Sequence, residues 1–274
     1  MKLSLDSRLR LREGVEIPVL GLGTAMSTGA AAEKAVKLAL ECGYRHIDTA
    51  RVYRNEKNVG KAVRESGVPR EQIFVTTKLA NSDQGYEPTL RACEGSLRRL
   101  GLTYVDLYLI HWPVHGKRVE SWKAMVRLEK EGRCRSIGVS NYMERHMMEL
   151  FESSPVRPSV NQVEFHPFLY QQELLGFCRE NDVQLEAYSP LTRGRKLNNL
   201  TLRKLAEKYE KTSAQIMIRW GLQHGLVVIP KSVREERILE NSQVFEFDIS
   251  QGDVEVLNSL NQNLHTDWNP SNVA

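Results

Sequence analysis

The sequence predicts a closed α/β barrel, (β/α)8, as a single domain spanning residues 1–274, with an N-terminal β-hairpin capping the bottom. Three observations carry this. Eight short β-branched runs alternate with amphipathic stretches, the βα unit recurs about every 30 residues, and no Pro/Gly/Ser-rich linker or low-complexity segment divides the chain. Unbroken alternation through eight strands favours a closed barrel over a doubly wound sheet.

Taken in order, "SLDSRLRLREGVEIPV" alternates through Arg8, Arg10 and Arg12 and is expected to turn at Glu13–Gly14, giving the hairpin. The barrel strands follow as "VLGLGT" (19–24), "RHIDTA" (45–50), "IFVTTKL" (73–79), "VDLYLIH" (105–111), "SIGVSN" (136–141), "VNQVEF" (160–165), "QLEAYSP" (184–190) and "VVIPKS" (227–232). Between them lie helical patterns such as Leu90, Cys93, Leu97 and Leu100, and Asn55 stands as an N-cap before Val59, Ala62 and Val63.

A composition of 41% hydrophobic and 26% charged residues is that of a globular protein, which argues against disorder and fibrous classes. The formal net charge of +4 is mild, and its basic residues are scattered among acids, so no nucleic-acid partner is expected. No apolar run approaches the ~20 residues of a membrane helix, and the charged N-terminus lacks a signal peptide's apolar centre; no membrane partner and a cytoplasmic location are expected. Cys42, Cys93, Cys134 and Cys178 lie 51, 41 and 44 residues apart, matching neither a metal clamp nor a disulfide framework, and read as reduced, buried small hydrophobes. Asn199, Leu200 and Thr201 form a glycosylation triplet that reads as chance without a secretory signal. The outer helices show no unusual apolar stripe, and a monomer is expected.

Parallel strands are buried on both faces, so polar residues within them call for a reason. Most stand at strand C-terminal ends: Asp48, Lys78, His111, Ser140 and Asn141, Tyr188 and Ser189, Lys231 and Ser232, with Gln162 and Glu164 inside the sixth strand. In a barrel all of these face one rim, where active sites lie.

Asp48 and Tyr53 raise a chemical question, because an acid and a phenol fall just where a strand gives way to a helix. A phenol has an ordinary pKa of about 10, and stabilising its phenolate at neutral pH takes roughly 4 kcal/mol. Lys78 is the expected source of much of that, with Asp48 keeping the ammonium charged and aimed, Tyr53 as proton donor and His111 adding a second hydrogen bond to the same substrate oxygen. Singly, each residue is ordinary rim or packing; four from three consecutive βα units are not. A metal site is the rival use of His111 with His115, but that spacing suits a helix and here follows a strand end, so no metal is expected and a metal-dependent hydrolase is the weaker alternative.

The segments "GYRHIDTA", "Y.NE..VG", "TTKL", "VDLYLIHWP", "IGVSN", "NQVEFHP", "AYSPL" and "IPKSV..ERI.EN", nearly end to end and in the same order, resemble the aldo-keto reductase superfamily. Within it the chain is similar to the small microbial members, such as the 2,5-diketo-gluconate and general carbonyl reductases. The resemblance implies NADPH-dependent reduction of an aldehyde or ketone, a small-molecule carbonyl substrate, in a (β/α)8 barrel without metal. It implies Asp48, Tyr53, Lys78 and His111 as a catalytic tetrad and Ser140, Asn141 and Gln162 as holders of the nicotinamide carboxamide. Tyr188 would stack on the nicotinamide ring, Ser189 and Leu191 would begin a strap over the pyrophosphate, and Gly23 and Thr24 would adjoin the cofactor. In the last segment Lys231, Ser232, Arg234 and Arg237 would cradle the 2′-phosphate, favouring NADPH (NADP+) over NADH, with Val233 adjoining the cofactor and Glu240 and Asn241 on the adenine. The "GLGTAM" stretch is a near miss to a dinucleotide fingerprint, with Met26 in place of its last glycine, and carries no argument.

The chain also departs from the family pattern. Many members carry a tryptophan after "GLGT", where this chain has Ala25 and Met26, and both the segment "PVHGKRVES" and the tail "HTDWNPSNVA" are short. A shallow, open pocket walled by Ala25, Tyr53, Trp112 and Trp268, with broad specificity, is expected. The non-catalytic alternative is an NADPH-binding protein of the same fold.

Overall fold

A computed structural model describes residues 3–12 and 14–274. Strands β1 (Arg8–Arg10) and β2 (Glu16–Pro18) pair antiparallel, Leu9 opposite Ile17. The expected turn falls partly outside the described residues at Glu13; beside it Leu11 and Val15 are joined by a 2.8 Å backbone bond. Eight parallel strands follow: β3 (Leu22–Gly23), β4 (His46–Asp48), β5 (Phe74–Leu79), β6 (Val105–Ile110), β7 (Cys134–Ser140), β8 (Val160–Glu164), β9 (Gln184–Tyr188) and β10 (Val227–Val228), each paired with the next. Bridges Leu20↔Val228 and Gly23↔Lys231 join the last strand to the first, closing the barrel.

The first and last strands are shorter than the sequence suggests because they meet through single bridges, with Gly21 N–H donating to Val228 O at 3.0 Å. Gly21 is needed there: a Cβ would lie 2.7 Å from the imidazole of His46, which sits inside the barrel.

Helices α1 (Gly29–Glu41), α2 (Glu56–Glu65), α3 (Tyr86–Leu100), α4 (Arg118–Lys130), α5 (Glu144–Ser153) and α6 (Gln172–Glu180) fill the crossovers in turn, and both α7 (Leu200–Lys208) and α8 (Ser213–Gln223) lie between β9 and β10. Two more, α9 (Glu235–Ser242) and α10 (Gln251–Asn258), follow β10. Their apolar faces meet the outer barrel surface in one large core; Cys93, Leu97 and Leu100 of α3 are buried in it as their spacing predicts. Asn199 caps α7, its Oδ1 accepting from Leu202 N at 3.2 Å, which gives the glycosylation-like triplet a structural reason.

Inside the barrel the filling changes with height. At the N-terminal end Leu11, Val15 and Ile17 of the hairpin pack with Phe74, Leu107, Val160 and Val227, so the hairpin plugs the bottom. Above this, the inward residues of β4, β5, β8 and β9 are polar: His46, Asp48, Thr76, Lys78, Gln162 and Glu186, each at most 2% exposed. Such burial is tolerated only where the groups bond to one another.

One close approach outside the barrel gives a stability prediction. A Cβ on Gly60 of α2 would lie 1.9 Å from Leu100 O at the end of α3. Gly60→Ala is expected to force α2 and α3 apart and cost about 3 kcal/mol, read as a lowered denaturant midpoint.

Candidate active site

Strand pleating turns every second residue inward, so His46 and Asp48, Thr76 and Lys78, and Glu186 and Tyr188 line one interior. Lys78 Nζ sits 2.7 Å from both carboxylate oxygens of Asp48 and 3.0 Å from Thr49 O. Tyr53 reaches the same ammonium from outside the sheet. It ends a 3-10 turn, Arg51–Tyr53, that closes on Arg54 in the left-handed region (φ 58°), and its hydroxyl lies 3.5 Å from Lys78 Nζ. His111 follows β6, with its ring edge-on to Tyr53 at 5.7 Å. The four residues singled out from the sequence therefore converge.

Their electrostatics correct one expectation. Burial pushes the Tyr53 phenol above its ordinary range, and Lys78 only partly offsets this, so the phenol stays protonated and is not drawn down toward neutrality. Burial opposes the charge on Lys78 too, but Asp48 and Tyr53 outweigh it and hold its pKa above the usual lysine value. Burial, then Lys78, lowers His111 to about 3, leaving a neutral imidazole with one N–H to give.

The residues expected around a cofactor fall into three places. In the first, next to the tetrad, Ser140 Oγ donates to Gln162 O (2.8 Å), Asn141 Nδ2 to His111 O (3.0 Å) and Tyr188 OH to Asn141 Oδ1 (2.8 Å), while Asn141 adopts φ 64°. Thr24, 1% exposed, gives its hydroxyl to Asp48 O at 2.9 Å, and Gly23 is bridged to Lys231. Asn55 occupies the N-cap position of α2 but does not cap with its side chain. It ties two loops, accepting from Thr49 Oγ1 (2.6 Å) and donating to Thr24 O (2.9 Å) and Ser27 O (2.8 Å).

The second place is the segment after β9, where Ser189, Thr192 and Arg193 all take positive φ and Leu191 packs partly buried against the core. Arg193 forms an ion pair with Asp267, so this strap is tied to the tail. In the third, at the start of α9, Lys231, Arg234 and Arg237 are exposed and make no ion pair with a described residue, with the Ser232 hydroxyl beside them accepting from Arg234 N at 3.1 Å. Val233 is half-exposed and Asn241 buried, while Glu240 already accepts from Thr212 Oγ1 at 2.8 Å. Three unpaired cations with a hydroxyl fit a phosphate group.

The tail joins the site. Trp268 meets Trp112 at 4.8 Å between ring centroids, and Trp112 stacks beside His111 at 6.4 Å. Trp268 is 54% exposed and Met26, next to half-buried Ala25, is 80% exposed, so the mouth has an apolar rim. Sequence reasoning missed what holds this tail down. Glu164 accepts from Thr266 N (2.9 Å) and Asp267 N (3.2 Å), Arg118 donates to Ala274 O (2.7 Å), Arg145 to Ser271 O (2.8 Å) and His146 to Val273 O (3.0 Å). Glu164 thus anchors the tail instead of lining the site. Burial alone would raise its carboxyl, but bonds from His166 and Thr266 hold it lower. Glu186 and His46 were also missed, although a charged residue two positions before Tyr188 on the inward face was a readable signal.

A sequence profile of the aldo/keto reductase family matches residues 19–262. The chain belongs to that family. Among its relatives, glyoxal reductase of Bacillus subtilis is 49% identical over 98% of this chain and 98% of its own, and 9,11-endoperoxide prostaglandin H2 reductase of Trypanosoma cruzi is 48% identical over 96% and 94%. An aldo-keto reductase from a Medee basin deep-sea metagenome library superimposes with a TM-score of 0.94 at 46% identity, covering 97% of this chain and 99% of that one. A Bombyx mori aldo-keto reductase solved in complex with NADP gives 0.91 at 36% identity over 97% and 95%. As a member of the aldo/keto reductase family the chain is an oxidoreductase. Among the described residues no helix is long and apolar enough to cross a membrane.

Proposed function

We propose that this chain is an NADPH-dependent carbonyl reductase that converts small aldehydes and ketones to alcohols, with Tyr53 as general acid. The observation that carries the reading is the buried Lys78–Asp48 pair presented to the Tyr53 hydroxyl beside a neutral His111. When bound, NADPH supplies the hydride that reduces the carbonyl carbon. The chain's residues handle the oxygen. Tyr53 O–H and the His111 N–H donate to the carbonyl oxygen and stabilise the negative charge that gathers on it. An alkoxide is far more basic than a phenolate, so Tyr53 delivers its proton even though burial keeps its acidity low. Lys78, held charged by Asp48 and Thr49 O, stabilises the phenolate left behind until solvent returns the proton.

Asn141 and Gln162 would hold the carboxamide and Tyr188 the ring face, while Lys231, Ser232, Arg234 and Arg237 would take the 2′-phosphate. The likeness to glyoxal reductase and the open apolar rim support small reactive carbonyls as substrates. Alcohol formed mole for mole with NADPH consumed tests the reaction. Arg237→Ala tests the phosphate cradle: loss of a charge-assisted contact is expected to weaken NADPH by about tenfold or more with NADH little changed, and equal losses would remove the residue from it.

A further inference from the structure

Glu186 is fully buried inside the barrel on β9 and has no part in the proton transfer just described. Its Oε1 accepts from Gln162 Nε2 at 2.9 Å, and the same nitrogen donates to Asp48 Oδ2 at 2.8 Å. Both side-chain N–H groups of Gln162 are therefore directed at carboxyl groups, which settles which end of the amide is nitrogen: the reversed amide would set its oxygen against Asp48. Both of these side-chain hydrogen bonds are made by Nε2, so the Gln162 carbonyl oxygen, Oε1, takes no part in them.

We propose that Glu186 is a positioning residue that fixes the Gln162 amide, so that its carbonyl oxygen accepts the N–H of the nicotinamide carboxamide. One hydrogen bond leaves an amide plane free to swing about its last torsion, and two fix it. This rests on the reading of the chain as an NADPH enzyme. The surroundings of Glu186 agree with an accepting role. His46, whose Nε2 is 4.0 Å from Glu186 Oε1, and Asp48 face it from β4, Lys78 faces it from β5, and its β10 partner is the apolar Val227. His46 is kept neutral by burial and by Lys78, at about 3. Burial and Asp48 push the Glu186 carboxyl up from the usual carboxylate range, toward its protonated form. A proton on Oε2, which makes no hydrogen bond, leaves Oε1 as a neutral acceptor. A glutamine in its place would supply the same kind of acceptor; a leucine would supply none.

The test compares NADPH with its 3-acetylpyridine analogue, in which a methyl group replaces the carboxamide NH2. Dissociation constants are measured by tryptophan quenching at neutral pH for wild type, Glu186→Gln and Glu186→Leu, with Glu186→Ser as a smaller variant too short to reach Gln162 should the leucine form not fold. Wild type and Glu186→Gln are expected to prefer NADPH by about tenfold, the worth of one well-aligned hydrogen bond, and the leucine or serine form to lose most of that preference. A leucine or serine form that weakens both cofactors equally, or keeps the preference, overturns the positioning role and leaves the NADPH reading standing. A wild type that binds neither cofactor overturns both.

Discussion

Tyr53→Phe is expected to lower the turnover number for carbonyl reduction by about a hundred- to ten-thousandfold while NADPH affinity changes little. The substitution removes one oxygen atom and leaves the ring edge-on to His111 and above the Lys78 ammonium, 5.0 Å from the ring centre. Without the phenol the proton donor that lies 3.5 Å from that ammonium is gone. His111 is a poor substitute, since burial and Lys78 keep it neutral and its single N–H would leave behind an imidazolate. The sign of the Tyr53 shift makes a second point. Because burial raises its pKa, the protonated, active form persists up to and beyond the ordinary phenol range, and Tyr53 should contribute no loss of activity between neutral and mildly alkaline pH. Stopped-flow measurement of the reduction step against pH checks both statements, and retention of most of the rate by the phenylalanine form would remove Tyr53 from its role.

Lys78→Met is expected to be the most damaging single change, because it acts on stability and chemistry together. Lys78 is fully buried and Asp48 is 2% exposed, and their attraction holds only while both are present. Removing the ammonium leaves a buried carboxylate supported by Gln162 Nε2 alone among the described side chains, at a cost of about 3–5 kcal/mol. Replacing both partners, as Asp48→Asn with Lys78→Met, is expected to recover most of that stability, since a neutral pair no longer suffers desolvation, yet none of the activity. The folded pKa of Lys78 lies above its unfolded value of about 10.4. Its stabilising contribution is therefore complete below that value and lost only as pH rises through the folded pKa. The stability that Lys78 contributes to the wild-type chain should therefore not change between mildly acidic and mildly alkaline buffer through titration of Lys78 itself. Urea midpoints read the loss in the methionine form.

Much of this site is legible in the sequence because strands carry a strict period. Asp48, Lys78 and Tyr188 stood out as polar residues at strand C-terminal ends and Gln162 as one within its strand, and they lie at or near the ends of β4, β5 and β9 and inside β8. What resists reading is contact across long separations. Nothing local in Arg118 announces its bond to Ala274, 156 residues away, or in Glu164 its grip on Thr266. Asn55 was placed correctly before a helix and misread in role, because its amide finds better partners in Thr49, Thr24 and Ser27 than in the helix start. The direction of the Tyr53 shift was misjudged for a related reason: a cation close by is visible in the sequence, but the depth of burial that outweighs it is a property of the assembled barrel.

The most direct test of the account is the initial rate of cofactor oxidation by the wild-type chain with a small panel of carbonyls, glyoxal, methylglyoxal, a nitrobenzaldehyde, a diketo sugar acid and an aldose, in parallel with NADPH and NADH. The account predicts turnover of the small aldehydes with NADPH well above NADH, since Lys231, Arg234 and Arg237 make no ion pair with a described residue and suit a phosphate. Binding of NADPH without turnover of any carbonyl, or equal rates with the two cofactors, would contradict it.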